Sequence, residues 1–84
     1  MKEIIMKEFR EYLIGKAQVK EKYVPYYLHW VESGYKFLEV HENKLLSRQQ
    51  KENFLKHLSE THEDWQVKQA DTSLRHYAYF LSLK

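Results

Sequence analysis

The side chains of this sequence that could bind a ligand are mainly donors to phosphate. One group of them lies within seven residues and comprises Lys20, Lys22, Tyr23 and Tyr26. Lysine ammonium groups and tyrosine hydroxyls donate hydrogen bonds to phosphate oxygens, and a helix N-terminus adds its own amides and dipole. The alternative is structural, with Tyr27 in the core and the neighbouring tyrosines packed under the preceding connection. The sequence leaves both interpretations open.

A second group of polar side chains recurs at helical spacing near the carboxyl end. Its members are Lys68, Thr72, Arg75 and Tyr79. Residues that follow one another at intervals of three and four lie on one side of a helix. Gln69 and His76 flank this line, and their polar groups can reach base edges or phosphates. The alternative interpretation is a solvated basic face without a ligand.

Catalytic patterns are absent from the sequence. It contains five histidines and no cysteine, and His57 and His62 are five residues apart, so they do not form the i, i+4 pair of a helical metal site. There is no H-E-x-x-H motif, no glycine-rich phosphate loop and no G-x-S-x-G motif. We therefore expect no catalytic site, no metal and no cofactor in these residues.

The charge of the chain is unevenly distributed. Residues 16–36 carry four basic and two acidic groups, residues 37–64 carry four basic and six acidic groups, and residues 65–84 carry three basic groups and one acidic group. Two basic segments thus flank an acidic one, a pattern that favours an anionic partner on one side of the protein. Because no apolar run approaches the length of a membrane span and no signal peptide is recognised, we expect a cytoplasmic protein without membrane contact.

Two helices are predicted in the first half of the chain. The first spans about residues 2–14 and ends at Gly15. Its apolar stripe consists of Ile5, Phe9, Tyr12 and Leu13. The second begins near Pro25 and continues through Gly34 to about His41. Its apolar stripe consists of Tyr27, Trp30, Val31, Phe37 and Leu38.

Two further helices are predicted in the second half. Ser47 and Gln50 form a capping-box pattern at the start of the third, which ends near residues 61–62. Its buried face consists of Phe54, Leu55 and Leu58. The fourth begins with Asp64 as its N-cap. Its apolar stripe consists of Val67, Ala70, Leu74, Tyr77, Ala78 and Leu81. We expect both tryptophans, Trp30 and Trp65, to be core residues, and a compact all-α four-helix bundle formed by one domain, residues 1–84.

Three stretches carry a resemblance to a known family: YYLHWVESGYKFLEV, SRQQKENFLKHLSE and DWQVKQADTSLRHYAYFL. Together they resemble the N-terminal core-binding domain of tyrosine recombinases, the phage and integron integrases, which has a SAM-like helical fold. The likeness covers roughly residues 5–83, and the run from Trp65 to Leu74 contributes most to it. Gly34, where relatives often have a bulky apolar residue, and the acidic Asp71 depart from the family pattern.

The resemblance implies a DNA-binding role in integration and recombination, in a protein of bacterial or phage origin. In this family the domain forms one half of a C-shaped clamp around double-stranded DNA, and helices equivalent to the second and fourth approach the duplex. The other half is a catalytic domain, so the chain would belong to a longer recombinase that assembles with other protomers on DNA. None of the seven tyrosines would be the nucleophile. The implied DNA-binding residues are Lys20, Lys22, Tyr23, Tyr26, Lys68, Gln69, Thr72, Arg75, His76 and Tyr79.

A protein-interaction module is the alternative function. SAM-like bundles also serve in association, and the third predicted helix is expected to be acidic, with an exposed surface of glutamate and lysine side chains. Duplex binding would depend steeply on salt, whereas self-association would not. A free-standing enzyme has no supporting constellation of residues.

Overall fold

The protein consists, over residues 2–84, of four α-helices joined by short connections. Its structure is a computed structural model that describes these residues. The helices are α1 (Lys2–Gly15), α2 (Val24–Leu38), α3 (Arg48–Ser59) and α4 (Asp64–Ser82), with one turn of 3-10 helix (Glu21–Tyr23) before α2. The predicted all-α four-helix bundle is thus confirmed. No helix in the described part of the chain is long and apolar enough to cross a membrane.

Aromatic rings from three helices form the centre of the core. Phe9 of α1 is fully buried and meets Tyr77 of α4 edge-on, with ring centroids 4.9 Å apart. The Phe80 ring lies 5.4 Å from Phe9, and Tyr35 of α2 lies 5.3 Å from Tyr77. Edge-to-face pairs of this kind add roughly 0.5–1.5 kcal/mol to the burial of apolar area. The core therefore fixes α1 and α2 against α4.

Two buried tyrosine hydroxyls hold the connection between α2 and α3. Tyr77 donates to the carbonyl oxygen of Glu42, and Tyr35 donates to that of Lys44 at 2.6 Å. Burial raises the pKa of both hydroxyls well above the usual range, and the nearby Glu42 carboxylate raises them further. The two hydroxyls are therefore neutral donors at physiological pH.

Replacing Tyr77 with phenylalanine is expected to lower the free energy of unfolding by about 1–2 kcal/mol, because the buried carbonyl of Glu42 loses its donor. Tyr79→Phe is the matched control, since this side chain is 69% exposed and makes no core contact. Urea unfolding followed by circular dichroism measures both variants. Equal stabilities would show that the Tyr77 hydroxyl does not hold the connection.

The end of α2 differs from the predicted one. The helix continues through Gly34 as predicted, but it ends at Leu38 rather than near His41. Glu39 adopts the left-handed conformation (φ 56°), and the Val40 amide donates to the Tyr35 carbonyl at 3.1 Å. This is the hydrogen bond of a Schellman turn, which reverses the chain. The turn brings the carbonyls of Glu42 and Lys44 within reach of the two tyrosine hydroxyls.

Gly34 allows α2 to approach α3 closely. A Cβ built at this position would lie 3.0 Å from Cε2 of Phe54, a ring that is only 1% exposed. Phe37 packs on the same ring with centroids 5.9 Å apart, which limits the room for it to move. The glycine is therefore explained by contact between helices rather than by a break in α2.

Replacing Gly34 with alanine is expected to lower the free energy of unfolding by about 1 kcal/mol, since overpacking (about 1–3 kcal/mol) outweighs the gain in helix propensity (about 1 kcal/mol). Gly15→Ala is the matched control, because nothing lies within 4 Å of its Cβ position and its φ is negative. We expect that variant to gain about 0.5 kcal/mol. Thermal and urea unfolding measure both, and a gain at both sites would contradict the close contact.

The starts of α3 and α4 test two cap predictions. The capping box at Ser47 is confirmed, with the Gln50 amide donating to Ser47 Oγ at 3.1 Å and the Ser47 amide donating to Gln50 Oε1 at 2.8 Å. Asp64 as N-cap is wrong. Glu63 occupies that position, and its amide donates to Gln66 Oε1 at 2.9 Å. Asp64 lies in the first turn, where its negative charge complements the helix dipole.

The buried side of α4 is rotated slightly from the predicted stripe. Ala78 is exposed, whereas Phe80 and Ser73 are buried. The Ser73 hydroxyl donates to the Gln69 carbonyl at 2.7 Å, so this polar side chain is satisfied within its own helix. The rotation turns the α4 core face toward α1 and α2.

Candidate nucleic-acid interface

Helices α2 and α4 pack against each other at several positions. Trp30 Nε1 donates to Gln69 Oε1 at 2.9 Å, and the Tyr27 ring stacks on His76 with centroids 5.6 Å apart. Tyr35, further along α2, contacts Tyr77 with ring centroids 5.3 Å apart, so the contacts do not follow a single antiparallel order. Tyr27 in the first half of α2 thus packs on the second half of α4, and the two sequence clusters of candidate ligands belong to helices that contact each other.

We call the exposed side chains of the two clusters, together with Trp65, the α2–α4 face. Its members are exposed side chains along the two helices and in the turn before α2. They are Lys20, Lys22, Tyr23, Tyr26, Trp65, Lys68, Thr72, Arg75 and Tyr79.

The α2 end of the face carries the first cluster. Tyr23 and Tyr26 are 41% and 56% exposed, which excludes the interpretation that they pack under the connection. Lys20 and Lys22 are also exposed, and the Lys22 ammonium lies 5.1 Å from the centre of the Tyr23 ring. Tyr27 is half-buried against α4. The 3-10 turn therefore presents ammonium groups and hydroxyls to solvent.

The α4 side of the face carries the second cluster, and an acidic residue borders it. Lys68, Thr72 and Arg75 are exposed. Asp71 lies 3.2 Å from Nη2 of Arg75 and 2.7 Å from Nζ of Lys51 in α3. Asp71 thus joins α3 to α4, and its carboxylate offsets part of the charge of Arg75.

Gln69 and His76 are engaged with α2. The side-chain amide oxygen Oε1 of Gln69 accepts the Trp30 indole proton, and His76 lies against Tyr27. Burial lowers the pKa of the His76 imidazole, so this residue is neutral at physiological pH. Their contacts in the structure are between helices, and their role toward a ligand stays a prediction.

Trp65 is not a core residue, and that prediction is wrong. Its side chain is 64% exposed, whereas Trp30 is 6% exposed as expected. Trp65 lies one turn before Gln69, whose side-chain amide oxygen accepts the Trp30 indole proton. The helical spacing of Trp65 with Lys68 and Thr72 was the signal for this position, since it places all three opposite the apolar stripe.

The histidines do not assemble a metal site. His29 and His62 meet the Trp30 ring edge-on, with centroids at 5.0 and 5.5 Å, and His57 stacks on Phe37 at 4.3 Å. Within residues 4–84, whose side chains the structure describes, no three histidine, aspartate or glutamate side chains converge on a point that could hold a metal ion. These three imidazoles therefore contact aromatic rings at separate places in the fold.

Comparison with known proteins found no relative of this chain. No protein-family model matches it, and no curated protein or solved structure shows significant similarity to it. The chemistry of the α2–α4 face is therefore the basis for any functional proposal.

Proposed function

We propose that this domain binds double-stranded DNA through the α2–α4 face. The observation that carries the proposal is the meeting of two separate basic clusters on one pair of helices. Lys20 and Lys22 come from the turn before α2, and Lys68 and Arg75 come from α4. Exposed lysine and arginine side chains provide the sequence-independent part of DNA binding by releasing counterions from phosphates.

The dimensions of α4 suit contact with a duplex. Lys68 and Arg75 are separated by seven residues, or about 10 Å along the helix axis. Phosphates on one strand rise by about 3.4 Å per nucleotide, so the two side chains span about three of them. Tyr and Thr hydroxyls nearby add neutral donors to phosphate. Most of these contacts would position the domain rather than read sequence.

Within this proposal, the domain is the N-terminal DNA-binding part of a site-specific tyrosine recombinase. The resemblance of residues 5–83 to core-binding domains supports it, as does the coincidence of α2 and α4 with the two basic segments. A catalytic domain of the same parent chain would supply strand exchange, other protomers would assemble on the DNA, and the protein would act in the cytoplasm.

The dependence of binding on salt tests this proposal. Fluorescence anisotropy of a labelled 20-base-pair duplex is measured as salt rises from 50 to 300 mM. Four basic contacts predict a log–log slope of about −3 to −4, since each phosphate contributes about −0.9. Absence of binding at 50 mM salt, or a slope close to zero, would contradict the proposal.

A second candidate function is self-association through α2 and α3. Phe37 is 45% exposed, and a surface cavity of about 400 Å³ lies beside it. The acidic third helix expected for this alternative is wrong, because α3 itself carries three basic side chains and one acidic side chain. The acidic groups lie mainly in the connections. Sedimentation equilibrium would reveal a dimer, and Phe37→Ala would dissociate it.

A further inference from the structure

Four aromatic side chains of the α2–α4 face are exposed to solvent. Tyr23, Tyr26, Trp65 and Tyr79 are 41%, 56%, 64% and 69% exposed. Exposed rings of this size contribute little to the core, and contact with phosphate requires only the tyrosine hydroxyls. A tryptophan has no such group, since its indole offers a single N–H donor on a large apolar surface. Trp65 in particular is not explained by phosphate binding.

Trp65 and Tyr79 lie near the two ends of α4, with the basic residues between them. The fourteen residues from Trp65 to Tyr79 correspond to ~21 Å along the axis and to an offset of about 40° around it. Lys68 and Arg75 lie within this interval on the same side of the helix. Aromatic platforms combined with a basic track are the arrangement by which proteins hold single-stranded nucleic acid, with bases stacked on rings and phosphates on cations.

The surroundings of Trp65 favour a base over a phosphate. Glu63 and Asp64 immediately precede Trp65, and both are exposed. Their carboxylates repel a phosphate, but they accept hydrogen bonds from the exocyclic amino group of a base. The basic residues begin one turn later, at Lys68. Along α4, a candidate position for a base at Trp65 is therefore followed by candidate positions for the phosphates of the nucleic acid, beginning at Lys68.

A fully paired duplex cannot use such a platform, because its base faces are covered by their neighbours in the stack. The phosphate contacts are also limited in number, and Arg75 shares its charge with Asp71 at 3.2 Å. We propose that the α2–α4 face binds nucleic acid with unpaired bases in preference to paired duplex, by stacking bases on Trp65 and Tyr79. This proposal rests on nucleic-acid binding by the α2–α4 face, and it specifies unpaired bases as the preferred ligand.

The test compares two labelled probes of equal length and charge, a 20-base-pair duplex and the same duplex with a central bubble of six unpaired nucleotides. Six stacked nucleotides span ~20 Å, about the distance between the two rings. We expect the bubble to bind roughly tenfold more tightly, in line with stacking of one or two bases. Trp65→Ala should remove this preference with less than about twofold effect on the paired duplex, and Trp65→Phe should retain most of it.

Leu45→Ala is the control variant, because Leu45 is an apolar side chain, 59% exposed, outside the face. Tryptophan fluorescence gives a second readout. Trp30 is buried and Trp65 is exposed, so the bubble should quench the native protein and not the Trp65→Ala variant. Equal, salt-dependent binding of both probes would overturn base stacking and leave duplex binding intact. Failure of both probes to bind would overturn both proposals.

Discussion

Replacing Phe9 with alanine is expected to lower the free energy of unfolding by about 3–5 kcal/mol, the range typical of a truncated core phenylalanine. Phe9 is fully buried, and its ring contacts Tyr77 and Phe80 at centroid distances of 4.9 and 5.4 Å. The truncation leaves a cavity where α1 meets α4, and rigid aromatic neighbours cannot fill it. Because small domains have only about 5–15 kcal/mol of stability in total, urea unfolding should shift strongly.

Phe37→Ala is the control for this measurement. Its ring is 45% exposed, so the same truncation should cost about 1–2 kcal/mol. Circular dichroism at increasing urea concentration gives both values under identical conditions. Similar losses at the two positions would mean that Phe9 is not the centre of the core.

Removing both basic side chains from α4 is the second large prediction. In the double variant Lys68→Ala, Arg75→Ala, affinity for a 20-base-pair duplex should fall by tenfold or more at low salt, since contacts to charged groups contribute on the order of 1.5 kcal/mol each. The log–log salt slope should become less steep by about 1.8, or about 0.9 for each lost phosphate contact. Anisotropy titrations across the salt range measure both quantities.

Arg48→Ala with Lys56→Ala is the matched control, because it removes two exposed charges of the same kinds from α3. The net charge of the two variants is then identical. If both bind duplex equally, net charge rather than the α2–α4 face governs binding. Loss of stability is not expected in the α4 variant, since both side chains are exposed and the Asp71–Lys51 ion pair remains at 2.7 Å.

Local sequence signals predict the helices well where they act within a few residues. The capping box at Ser47 sets the start of α3, and the spacing of Phe9 and Leu13 gives the buried side of α1. These features depend on hydrogen bonds and periodicity inside one helix. They can be read without knowledge of any other part of the chain.

Features set by contact between helices were predicted less well. The end of α2 depends on Glu39 in the left-handed conformation, which glutamate does not favour. The hydrogen bonds from Tyr35 and Tyr77 to the following connection stabilise this turn. Ser73 is buried because its hydroxyl is satisfied within α4. From residue type alone, α2 would continue past Leu38 and Ser73 would be exposed.

The candidate site likewise combines features set within one helix with features set by contact between helices. The spacing of Lys68, Thr72 and Arg75 predicts one side of α4, and the structure has all three exposed. The contact of α2 with α4, through Tyr27 and His76 and through Trp30 and Gln69, is not encoded by any local pattern. The residue type of Trp65 predicts a core position, whereas its helical spacing with Lys68 and Thr72 indicates the exposed side.

The most direct test of the central claim, nucleic-acid binding by the α2–α4 face, is amide chemical-shift perturbation of the ¹⁵N-labelled domain by a 20-base-pair duplex at low salt. We predict shifts concentrated in residues 20–26 and 65–79 that fade as salt rises. Shifts confined to α3 and the groove beside Phe37, or none at millimolar duplex, would contradict the claim.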